Sequence, residues 1–161
     1  MRTKRLFILL AALLALGCAV AVAGCAGNKA RSAVMPADQA ELVTEQCSRP
    51  NPPHYDSTWQ PGPHDIAQLE QDLPALNDLA PPGGDAPHVG DATAYDRQYF
   101  GILVHGHHKI YINAFIDAMA NKDWKAYAIV VCDGGSGAWG AVYDPSSRDF
   151  SDFSFNGKPS G

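Results

Sequence analysis

His105-Gly106-His107-His108 is the densest run of potential metal ligands in the chain. Imidazole suits zinc, copper or nickel, but a site needs three or four ligands. On an extended strand His107 and His108 project to opposite faces, so only His105 and His107 converge. His54, His64, His88 or Asp133 would have to complete the set, and their spacing does not bring them near. A solvated hairpin tip is the plainer reading. Asp133-Gly134-Gly135-Ser136-Gly137 could present backbone amides to an anion. It lacks the Lys and the strand-to-helix context of a phosphate loop, and the Gly-x-Ser-x-Gly spacing of a nucleophile elbow. It reads as a turn. Arg97, Tyr99, Asn113 and Trp139 lie within apolar runs, where they either line a surface groove for a ligand or partner or satisfy neighbours inside a half-buried sheet. No Ser/His/Asp set, carboxylate pair or His-Glu-x-x-His motif is legible, and no cofactor is implied.

The elements that must position these residues begin at Pro63. It suits the first helical position, Asp65 places an acid in the first turn, and Ile66, Leu69, Leu73 and Leu76 recur at helical intervals. Pro74 limits or kinks this helix. Residues 80–94 read as a surface loop. Residues 99–104 and 107–115 are β-branched and aromatic runs joined by His105-Gly106, a hairpin signal. On the second run Ile110, Ile112 and Ala114 face the core, and Lys109, Tyr111 and Asn113 face away. Further strands are expected over residues 125–132, 138–143 and 150–155. Trp59 and Trp124 read as core or rim anchors. The result is an α+β domain, one main helix packed on an antiparallel sheet of about five meander-connected strands.

The chain has 161 residues, room for one domain, and a net charge of −5. Three of its 12 basic residues, Arg2, Lys4 and Arg5, precede an uncharged run over residues 6–27. A basic start, an apolar middle and a small-residue end make a secretory signal. Val22-Ala23-Gly24-Cys25 resembles the lipobox of bacterial lipoproteins. The resemblance implies lipidation of Cys25 and removal of residues 1–24, and Ala26, with no Asp after the cysteine, implies the outer membrane facing the periplasm. Cys18 after Ala15-Leu16-Gly17 fits the pattern less well. An uncleaved membrane anchor and a released soluble form are the alternatives, and the domain is exported in each. After residue 24, nine basic residues face 17 acids, a net of −8. That charge excludes nucleic acid as a partner. With Cys18 removed and Cys25 lipidated, Cys47 and Cys132 are an even pair in an oxidising compartment and are expected to form a disulfide. Residues 25–62 then read as a lipidated, Pro-rich tether, and residues 63–161 as the globular domain.

Tyr95-x-Arg97-Gln98-Tyr99-x-Gly101, Ile110-Tyr111-x-Asn113-Ala114-Phe115, Val131-Cys132-Asp133-Gly134-Gly135, Trp139-Gly140 and Phe155-Asn156-Gly157 together resemble a group of small exported proteobacterial proteins. The resemblance covers about residues 63–157 and implies a shared fold, without a catalytic residue to carry over. The expectation is a lipid-anchored envelope protein acting as a non-enzymatic binding or structural module, with membrane lipid and an envelope protein as partners. A metal-binding lipoprotein using His105, His107 and His108, and an envelope hydrolase, are the alternatives.

Overall fold

The computed structural model describes residues 31–79 and 88–157. Cys25 and its lipobox lie outside the described residues, as do residues 80–87 of the expected loop. Among the described residues, twelve short and long elements build an α+β fold around a six-stranded mixed sheet. The strands are β1 (Ser32–Val34), β2 (Ser57–Trp59), β3 (Asp96–Val104), β4 (His107–Phe115), β5 (Gly135–Asp144) and β6 (Asp149–Asn156). The helices are α1 (Ala40–Thr44) and α2 (Pro63–Asp72).

The antiparallel meander β3-β4-β5-β6 is the backbone of the fold. The hairpin forms as its sequence dictates: His105 and Gly106 both take positive φ, 50° and 77°, the mirror-image turn whose twist matches that of the flanking strands. The outer edge of β3 is divided between two short strands. β1 runs parallel along Arg97–Tyr99 and β2 antiparallel along Gly101–Leu103. Gly101 makes the second pairing possible, since a Cβ there would lie 2.2 Å from the Trp59 carbonyl oxygen.

Helix α2 starts at Pro63, and the Asp65 carboxylate accepts from the Gly62 N–H at 2.8 Å, closing its first turn. After Asp72 the chain tightens into a 3₁₀ turn, Leu73–Asp78, which accommodates Pro74. Leu69, Leu73 and Leu76 are buried and Ile66 is half-buried against Tyr99, Ile110, Ile112, Trp139, Ala141, Tyr143, Phe153 and Phe155. This face of the sheet is mostly apolar, and the expected alternation on β4 supplies its aliphatic residues.

The opposite face is covered too, which corrects two expectations. Residues 32–44 are not tether: Met35, Ala40 and Val43 pack on Phe100, Ile102, Tyr111 and Val142. Tyr111 and Asn113 therefore point into a second buried layer rather than into water. Residues 125–132 do not form a strand, and β4 pairs directly with β5. Residues 120–134 are turns and loop, with Trp124 and Ile129 buried beside Phe115 and Ala138. Cys47 and Cys132 lie at disulfide distance, Cα–Cα 5.6 Å, and join the two covering segments.

Removing residues 31–45 is expected to uncover Phe100, Tyr111 and Val142 and abolish cooperative unfolding. A thermal melt followed by circular dichroism checks this, because a mere tether would leave the transition unchanged.

Candidate functional site

At the hairpin tip an open groove of about 560 Å³ is lined by Trp59, Asp65, Gly106, His107, His108, Pro145 and Ser146. Strand β2 brings Trp59 there, the first turn of α2 brings Asp65, and the β5–β6 turn brings Pro145 and Ser146. The His108 imidazole lies 4.3 Å from the Trp59 ring, and the Trp59 Nε1–H donates to the Lys109 carbonyl at 2.9 Å. His107 and His108 share this groove, whereas His105 does not line it, which reverses the expected pairing of His105 with His107. Among the described residues no three His, Cys, Asp or Glu side chains are grouped to hold a metal ion. Asp65 is committed to its helix cap, and the Ser146 hydroxyl donates to Asp144 at 2.6 Å. The groove thus offers two imidazoles and an aromatic edge, which can contact a ligand but are not joined to a nucleophile.

Arg97, Tyr99, Asn113 and Trp139 form no surface groove. All four are buried, and they divide between the two faces of the sheet. Arg97, Tyr99 and Trp139 lie on the α2 side. There the Tyr99 hydroxyl donates to Glu70 of α2 at 2.7 Å, and the Arg97 guanidinium meets the same carboxylate at 3.1 Å. Burial pushes the Tyr99 hydroxyl well above its ordinary pKa. Arg97 also donates to the Ala92 and Thr93 carbonyls, fixing the turn that leads into β3.

Asn113 lies on the other face, at the centre of a polar network. Its Nδ2 donates to Gln98 Oε1 at 3.0 Å and to the Ile129 carbonyl at 2.8 Å, and its Oδ1 accepts from Arg49 Nη2 at 2.9 Å. Arg49 Nη1 donates to Asn156 Oδ1 at 2.8 Å. Gln46 touches both Asn113 and Asn156, and Gln98 donates to the Trp124 and Tyr127 carbonyls. Arg49 is only 6% exposed and has no carboxylate partner in this network; its guanidinium sits 5.4 Å above the Tyr111 ring instead. Desolvation by burial lowers its pKa. Gly140 leaves room for it, because a Cβ there would lie 2.8 Å from the guanidinium carbon. No known family, characterised protein or solved structure matches this chain. Sequence reasoning missed this network because Gln46 and Arg49 fall in the expected tether. The available signal was Gln98, Asn113 and Asn156, uncharged amides at interior positions of β runs.

Two ion pairs lie beside the β5–β6 turn. Asp72 accepts from Arg148 Nε at 2.9 Å and from the Tyr143 hydroxyl at 2.7 Å. Arg148 and Tyr143 hold that carboxyl below its usual range, while burial and Asp72 push the Tyr143 hydroxyl up to about 12. Burial opposes ionisation of Asp144, but hydrogen bonds from Lys109 and Ser146 outweigh it and hold its carboxyl well below the usual range.

Asn113→Ala is expected to strand Arg49, Gln98 and the Ile129 carbonyl and to cost about 3 kcal/mol, measured by urea unfolding. Asp72 and Asp144 have depressed folded pKa values, so their contribution is present above the ordinary carboxylate pKa and is lost as pH falls below about 4. Asp144→Asn is expected to flatten the decline in melting temperature below that pH relative to the unmodified protein.

Proposed function

We propose that the protein is exported and held by acyl chains on Cys25 at the outer membrane, facing the periplasm, where it acts as a non-enzymatic binding or structural module. The observation that carries this reading is the Val22-Ala23-Gly24-Cys25 motif, which ends six residues before Arg31, whose carbonyl accepts from the Arg97 N–H at 2.8 Å. An acylation motif directly before a folded sheet leaves a lipidated domain after cleavage. Several acyl chains on one residue anchor durably where one would not. The Cys47–Cys132 pair supports an oxidising compartment. Among the described residues no helix is long and apolar enough to cross a membrane.

The groove formed by Trp59, His107 and His108 supports the binding half of the reading. It lies at the end of the β3–β4 hairpin away from the point where the chain comes in from Cys25. A ligand or an envelope protein approaching from the periplasm meets this end first.

Radiolabelled palmitate is expected to enter the protein in cells and to be lost in Cys25→Ser. Equal labelling of the two forms, or none in either, overturns the anchoring. Photo-crosslinking from a residue placed at His107 is expected to capture an envelope component that His108→Ala weakens.

A further inference from the structure

Four large apolar side chains are exposed among the described residues: Leu42, Ile116, Tyr127 and Val130. Leu42, Tyr127 and Val130 are each more than half exposed, and all three lie on the segments that cover the face of the sheet opposite α2. These segments run side by side. Gln39 accepts from the Ala128 N–H at 2.6 Å and donates to the Ala126 carbonyl at 3.0 Å. Further on, Gln46 reaches the Val131 backbone, and Cys47 meets Cys132 at a Cα–Cα distance of 5.6 Å. Between these crossings Leu42 lies on one side of the seam, and Tyr127 and Val130 lie on the other. Leu42 follows Gln39 by three residues, so it shares the side of the helical turns that Gln39 turns toward the loop.

Loose backbone does not account for this exposure. The Tyr127 carbonyl accepts from Gln98 at 2.7 Å. Ile129, just before Val130, is bonded to both Gln98 and Asn113, and Val131, just after it, to Gln46. Val43, next to Leu42, is fully buried against the sheet. Three apolar groups are thus held in water at fixed places. An apolar surface kept in water marks a place for another molecule, and a rigid one needs little ordering on binding. The charges around it select the occupant. Asp38, Glu41 and Glu45 are exposed on the same turns, and none of them pairs with a described cation. The cations nearest along the chain are engaged, Lys122 at 3.9 Å from Asp123 and Lys125 over the Trp124 ring. An acidic rim repels an anionic bilayer, and it repels the same face of a second copy. It attracts a polypeptide whose apolar residues are flanked by Lys or Arg.

We propose that Leu42, Tyr127 and Val130, rimmed by Asp38, Glu41 and Glu45, dock a basic segment of a partner protein that carries a short apolar stripe. The surface needs neither lipid on Cys25 nor a ligand in the histidine groove. That groove, bordered by Asp65 of α2, is a separate site.

The test uses the full chain, isotope-labelled in neutral detergent, and three acetylated hexapeptides followed by amide chemical shifts. The first is Lys-Leu-Lys-Tyr-Leu-Lys; the second has Glu for every Lys, and the third has Ser for Leu and Tyr. The first peptide is expected to shift the amides of residues 41–46 and 127–132 and to leave 105–108 unmoved. The other two are expected to bind about tenfold more weakly or worse. Leu42→Gln with Val130→Gln, and separately Glu41→Lys with Glu45→Lys, are each expected to weaken the first peptide about tenfold at the same detergent concentration. The peptide comparison is made on the unmodified chain and decides the case independently of either variant. Binding of the first peptide no tighter than about millimolar overturns the proposal, as does equal binding of the acidic peptide or a shift pattern centred elsewhere. Concentration-dependent shifts of the same amides without peptide assign the surface to a second copy and overturn it as well.

Discussion

The hydrogen bonds from Arg49, Gln98 and Asn113 to one another and to the loop backbone are the constraint on which the rest of the structure depends. They solve a specific problem. The face of the sheet opposite α2 is covered by residues 31–49, regular only in β1 and the short helical turns through α1, and by the loop 120–134, and irregular backbone in a buried layer leaves donors and acceptors unpaired. Side-chain amides take the place of a strand ladder here. Gln98 serves the Trp124 and Tyr127 carbonyls, Asn113 the Ile129 carbonyl, and Gln39 the Ala126 carbonyl and the Ala128 N–H. Arg49 is the donor that binds the amides to each other. Its burial without a carboxylate is tolerable only because the network supplies oxygens and Tyr111 supplies a π face.

The two faces of the sheet consequently hold together by different physics. On the α2 side, Leu69, Leu73 and Leu76 meet Trp139, Tyr143 and the phenylalanines of β6, and area removed from water drives the contact. Glu70 with Arg97 and Tyr99, and Asp72 with Tyr143 and Arg148, register the helix on the strands. On the other side apolar contact is smaller, and geometry matters more than area. The Cys47–Cys132 pair lies between the two covering segments, where it limits how far either can lift.

This division explains which parts of the fold were legible in the sequence. Helix α2, the β3–β4 hairpin, β5 and β6 are encoded by local patterns: leucines at helical spacing, a His-Gly turn, and alternating aromatic residues. The disulfide was legible by elimination. Strand β1 was not, because a three-residue strand has no period to detect, and it exists through pairing with residues more than sixty positions away. The run 125–132 misled for the converse reason. Its apolar residues look like a strand, yet Trp124 and Ile129 are single plugs in a loop whose hydrogen bonds end on amides from other segments. Arg97, Tyr99 and Trp139 were correctly picked out as unusual, but their role is internal. The groove was half legible: the histidines were visible, while Trp59 and Ser146 reach it only through the tertiary fold.

The exposed edges of the sheet are also shaped by its composition. Two three-residue strands share one edge of β3, so neither presents a long row of free amides. On the opposite side, among the described residues, β6 pairs only with β5, and its register is broken by irregularities near Gly140 and by Asp152 at a φ of 52°. Asp149 and Asp152 place negative charge along that edge. Short, bent and charged edges are poor templates for another strand. Copies brought to high local concentration therefore meet each other with edges that do not zip.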